Sequence, residues 1–114
     1  MIYLKDIKYL DAYEGRNITD DNIKHLFLEL LDASYNTNIT DYGIKHMNLL
    51  KLYISHNPLI TNDGIKHMKL IELETHYNNS ITDEAIKHMP LEVLRLSSNK
   101  YITEEGAAKR NIWF

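Results

Sequence analysis

The chain has no cysteine. Disulfides, zinc–thiolate centres and thiol nucleophiles are therefore excluded. It has no apolar run of the ~20 residues that a membrane-spanning helix needs. The opening MIYLKDIKYLDAY carries charge too early for a secretory signal. Neither charge sign is in large excess. The net charge is −3 over 114 residues, which gives no reason to expect nucleic acid or an anionic membrane as a partner. No glycine-rich phosphate loop, serine nucleophile elbow or H-E-x-x-H occurs. These absences argue against an enzyme, a cofactor or a metal. They point to one intracellular domain of ordinary size, with the cytoplasm as its expected setting. Asn17, Asn38 and Asn78 match the glycosylation acceptor pattern, but without a secretion signal they read as incidental.

What is present is a repeat. Ile-Thr recurs at Ile18, Ile39, Ile60, Ile81 and Ile102, at one constant spacing with no insertion. A fixed period in this range marks a stacked solenoid. The units span 18–38, 39–59, 60–80 and 81–101, with a partial unit 1–17 before them and another, 102–114, after. In the first partial unit, Ile7, Leu10 and Ala12 fall in the columns of Leu28, Leu31 and Ala33. No unit can bury its apolar side chains alone. Stacking places each column on its copy in the next turn.

The period changes within each unit. Leu-x-x-Leu-x-Leu contains a period-2 stretch, which predicts a short strand. Thr-Asp-x-x-Ile-x-x-Met spaces its apolar residues by three, which predicts a short helix. Thr19, Thr40, Thr61, Thr82 and Thr103 stand where N-caps belong, and Asp20, Asp41, Asp83 and Glu104 follow where a helix dipole favours negative charge. Asn36, Asn57, Asn78 and Asn99 form a column just past the strand, suited to a ladder of bonds to neighbouring turns. Gly15 has that place in the first unit and no side chain to join it, so the N-terminal end is expected to be looser.

Leu91-Glu92-Val93-Leu94-Arg95-Leu96-Ser97-Ser98-Asn99 resembles the leucine-rich repeat. The Ile-Thr-Asp-x-x-Ile-Lys-His-Met half is similar to the cysteine-containing subclass found in F-box substrate adaptors, although asparagine replaces its cysteine and the unit is shorter. Short repeats of this kind, with 43 of 114 residues being Ile, Lys, Asn or Tyr, also resemble those of amoeba-infecting giant DNA viruses, which would make the setting a host cytoplasm. The resemblance implies an α/β solenoid, with short parallel strands on a concave face and short helices on a convex one. It implies a protein partner. The helical F-box that the resemblance would bring is not seen in this sequence, so an adaptor or host-directed effector role would need another segment or partner.

The rows free of core duty are the candidate binding surface. Tyr35, His56 and Tyr77 share a column just past the strands, roughly 5 Å apart by strand spacing, with Tyr53 nearby. Aromatics on a rigid surface supply binding hot spots; stacked rings also simply cover a core edge. On the strands, Asp11, Asp32, Glu72 and Glu74 make an acidic side interrupted by Lys51 and Arg95. It suits a basic partner, or is a plain solvated face. The partner-binding set is Tyr35, Tyr53, His56, Glu74, His76, Tyr77 and Arg95. His76 and Glu74 share a strand face but lack a water-excluding pocket, so no catalytic role follows.

Two further features compete. His25, His46, His67 and His88 form a column on the helix side, but no carboxylate or cysteine recurs beside it as a further metal ligand. Lys24, Lys45, Lys66 and Lys87 make a basic ridge that acids one turn away should blunt. At the C-terminal end, Ala107 and Arg110 suit a cap, and Trp113 with Phe114 suits either a lid or a contact for a second copy. A monomer is expected, with end-to-end association as the structural alternative.

Overall fold

The computed structural model describes residues 7–15, 17–103 and 111–113, the last three by backbone alone. Strands and helices alternate: β1 Tyr9–Asp11, α1 Asp20–Ile23, β2 Leu30–Asp32, α2 Asp41–Ile44, β3 Lys51–Tyr53, α3 Asn62–Ile65, β4 Glu72–Glu74, α4 Asp83–Ile86, β5 Val93–Arg95 and β6 Asn111–Trp113. The strands form one parallel sheet in chain order. From β1 to β5 the register equals the sequence period, so Leu10, Leu31, Leu52, Leu73 and Leu94 lie side by side. Strand β6 sets Ile112 beside Leu94, a shorter step along the chain than the repeat spacing. The C-terminal unit thus adds a sixth strand. The expected Ala107 and Arg110 cap and the Trp113 and Phe114 side-chain lid lie outside the described residues.

The core is the stack of columns that the repeat predicts. Leu31, Leu52, Leu73 and Leu94 are fully buried, as are Ile39, Ile60 and Ile81. Ile7, Leu10 and Ile18 pack against this core while remaining partly buried. Each helix from α1 to α4 is shorter than its apolar spacing suggests. It is a single turn, and the chain leaves it before reaching the Met column. Lys45 N–H donates to Asp41 O at 2.9 Å, then Met47 N–H already closes a tighter turn on Ile44 O at 2.8 Å. So short a unit leaves room for one turn of helix, and that turn suffices to aim Ile44 and Met47 inward.

Asparagine builds the expected ladder. Asn57 is fully buried. Its Nδ2 donates to Ala33 O at 3.1 Å, Asn36 O at 2.7 Å and Ile39 O at 3.2 Å. Its Oδ1 accepts from Leu59 N–H at 3.1 Å. Asn36, Asn78 and Asn99 repeat the pattern. At Asn99 the column carbonyl is replaced by Thr75 Oγ1 at 3.2 Å, which satisfies a hydroxyl buried in the column of Ala33, Ile54 and Leu96. Gly15 is still tied in through its backbone. Its N–H donates to Ala12 O at 2.9 Å, and its carbonyl accepts from Asn36 Nδ2 at 3.0 Å.

A second ladder runs on the helix side. The first-turn aspartates do more than complement a dipole. Asp20 accepts from Thr40 N–H at 2.8 Å and from Thr40 Oγ1 at 2.6 Å, joining one helix start to the next. Asp41 does the same to Thr61, and Asp83 to Thr103. Asn62 takes this place for Thr82. Helix α1 has no earlier helix among the described residues to supply an acid, and there Asn22 of the same turn accepts from Thr19 N–H at 2.8 Å.

Candidate functional site

The turn after each strand from β1 to β5 fixes an unusual backbone. Glu14, Tyr35, His56, Tyr77 and Ser98 all have left-handed φ, between 50° and 58°. For a residue with a Cβ this costs about 1–2 kcal/mol. The sheet overrides that cost by continuing through these residues. Tyr35 N–H donates to Ser55 O at 3.0 Å, His56 N–H to His76 O at 3.0 Å and Tyr77 N–H to Ser97 O at 2.8 Å. The shared φ sends the side chains out in parallel. Tyr35 and His56 stack with ring centres 4.3 Å apart, and His56 and Tyr77 with centres 4.6 Å apart. Tyr13 meets Tyr35 edge-on at 5.4 Å. Tyr35 and Tyr77 remain exposed, at 44% and 54%.

Beside this wall lies a groove of about 450 Å³, lined by Tyr35, Tyr53, His56, Glu74, His76 and Tyr77 together with Tyr13, Asp32 and three serines. Six of the seven residues singled out from sequence therefore share one lining. Arg95 is outside that lining but beside it, 3.5 Å from Glu72 and 3.9 Å from Glu74. Ser34 and Ser55 are buried and form the floor. Asp32 Oδ1 accepts from Ser34 N–H at 3.0 Å, Ser34 Oγ from Ser55 N–H at 3.1 Å, and Ser55 Oγ from His76 N–H at 3.0 Å. The signal was legible as Asp-x-Ser at Asp32, a spacing at which a carboxylate caps the backbone two residues on.

The acidic side is partly neutralised from within. Glu72 accepts the Tyr53 hydroxyl, and Arg95 Nη1 lies 3.5 Å from it. Burial first, and that hydrogen bond second, push the Tyr53 phenol up to about 12, so it stays a neutral donor. Among the described residues the Glu74 carboxylate has only long contacts: 3.5 Å to Ser55 Oγ, 3.6 Å to His76 Nε2 and 3.9 Å to Arg95 Nη1. His76 Nδ1 is buried without a hydrogen-bond partner among the described residues.

The helix side has different chemistry. His46 Nε2 donates to Leu26 O at 2.7 Å and His67 Nε2 to Met47 O at 2.9 Å, so these rings tie successive turns together. Among the described residues no three His, Asp or Glu side chains converge as for a metal ion. On the basic ridge, Lys24 pairs with Asp21 at 3.2 Å, Lys66 with Asp63 at 3.4 Å and Lys87 with Glu84 at 2.8 Å. The hydrogen bond that Lys24 donates to Asp21 raises the Lys24 pKa, and the one that Glu84 accepts from Lys87 lowers the Glu84 pKa. Lys45 instead lies over the Tyr42 ring at 5.6 Å. These partners reduce the ridge's pull on phosphate. No helix among the described residues is long and apolar enough to cross a membrane.

The family model described as Leucine Rich repeat matches residues 45–69 and 87–109. No curated protein matches the chain.

Proposed function

We propose that this leucine-rich repeat solenoid is a non-enzymatic protein-binding module that engages its partner through the strand face, at the groove beside the ring wall. One observation carries the reading. Tyr35, His56 and Tyr77 sit at backbone positions that disfavour any side chain, and yet present a row of aromatic rings to solvent. Strained positions cluster at functional sites, and rigid exposed aromatics supply the hot spots of interfaces. Tyr53, Glu74 and His76 form the rest of the contact, and Arg95 sets the charge beside it. A substrate-adaptor role would use the same face, with delivery to a second protein added.

The test is affinity capture with wild type and with a Tyr35→Ser/His56→Gly/Tyr77→Ser variant. Serine already occupies this backbone conformation at Ser98, and glycine suits it best. The variant should therefore fold, which circular dichroism would check. Proteins held by wild type and lost by the variant are the expected result. Capture that is equal for both, or nil for wild type, would remove the strand face as the site.

A further inference from the structure

We infer that the groove receives an arginine side chain of the partner, with its guanidinium between the ring wall and the carboxylates of Asp32 and Glu74. This rests on the strand-face reading above and names the chemistry of its ligand.

Charge is the first argument. Asp32 and Glu74 belong to the groove's lining, which contains no lysine or arginine. Arg95 lies outside the lining, 3.5 Å from Glu72 and 3.9 Å from Glu74, so it offsets the charge of Glu74 only in part and that of Asp32 not at all. Both carboxylates have unused capacity. Asp32 commits Oδ1 to Ser34 N–H, while Oδ2 accepts from no donor among the described residues. Glu74 is half-buried, and each contact of its carboxylate among the described residues is at 3.5 Å or beyond, longer than a full-strength charge-assisted bond. A partly desolvated carboxylate lacking a close donor gains most from an incoming cation.

Shape is the second. The ring wall is a column of aromatic side chains stacked on one another, an apolar side along which the methylene stem of an arginine packs. The floor is serine hydroxyls already engaged with backbone N–H groups, which leaves their remaining lone pairs as further acceptors. A guanidinium matches this combination better than an ammonium does. It is planar, weakly hydrated and presents a fork of donors to carboxylates. An acidic side chain would meet two carboxylates in a lining without lysine or arginine. A purely apolar one would leave Asp32 and Glu74 desolvated without compensation.

The experiment follows backbone amide NMR shifts of the full chain during titration with acetyl-Gly-Arg-Gly-amide. Comparators are the citrulline peptide, of the same shape without the charge, and the lysine peptide. The expected result is saturable shifts at Ser34, Ser55, His56 and Tyr77 with the arginine peptide. Citrulline should bind at least tenfold more weakly, and lysine several-fold more weakly. An Asp32→Asn/Glu74→Gln variant keeps an oxygen for Ser34 N–H, and its spectral dispersion reports the fold. It should lose the preference for arginine over citrulline. Equal binding of arginine and citrulline, equal binding of lysine, or no saturable shift at the groove would each overturn the inference. If the ring variant still abolishes capture in those cases, the strand-face reading stands and only arginine is withdrawn. If capture is unaffected as well, both fall.

Discussion

At the scale of single residues, Gly43 and Gly64 answer to a neighbour's carboxylate. Neither has a positive φ, and each lies inside a helix, where glycine costs roughly 0.5–1 kcal/mol against alanine. A Cβ at Gly64 would stand 2.2 Å from Asp41 Oδ1, the oxygen that accepts Thr61 N–H. A Cβ at Gly43 would stand 2.3 Å from Asp20 Oδ1 in the same arrangement. The next turn acts as an internal control. There Ala85 occupies the column, and the preceding turn supplies Asn62 instead of aspartate. Gly64→Ala should therefore lower stability by about 1–3 kcal/mol, the usual cost of overpacking, despite its better helix propensity. Asp41→Asn in the same chain should recover part of that loss, because it recreates the Asn62 and Ala85 pairing. Urea unfolding of the two single variants and the double would measure the coupling. Strictly additive effects would show that the two positions do not meet.

At the scale of the element, each turn is held by two side-chain ladders, one of asparagine past the strand and one of aspartate at the helix start. Asn57 is the clearest rung, with three carbonyls sharing its amide and no exposure to water. Asn57→Ala should cost roughly 3 kcal/mol, since the buried carbonyls lose their donor. Asn57→Asp should cost more. It keeps the shape but aims a carboxylate oxygen at those same carbonyls. Thermal melts of both would check the order, and an aspartate no worse than alanine would contradict the ladder. Much of this was legible in sequence. The constant period of Ile-Thr set the strand register, and the Asn column stood where a ladder should be. The Asp–Thr bridge was not legible, because a first-turn acid already has a sufficient local explanation in the helix dipole. Its second partner lies almost a full repeat further along the chain and emerges only when the turns are stacked.

At the scale of the whole molecule, the candidate site was half legible. The repeat grouped Tyr35, His56 and Tyr77 into one column, and stacking made them a wall. Nothing in the residue types announced left-handed backbone there, since glycine and asparagine are its usual signals. Nor did two serines in a variable row announce a buried floor. Stability follows from the same one-dimensional architecture, in which each turn rests only on its neighbours. Leu52 is fully buried and pairs in register with Leu31 on one side and Leu73 on the other. Leu10 has its only described sheet neighbour in Leu31 and is partly buried. Truncating Leu52 to alanine should cost ~2–5 kcal/mol, the range for large-to-small changes in a closed core. That is a large share of the ~5–15 kcal/mol that holds a typical domain together. The cavity would also separate the two halves of the stack, so the whole chain should unfold at lower urea. Leu10→Ala removes the same atoms where fewer neighbours surround them and only one turn relies on them, and it should move the midpoint much less. Equal shifts for Leu52→Ala and Leu10→Ala would show that the turns do not stabilise one another through this column.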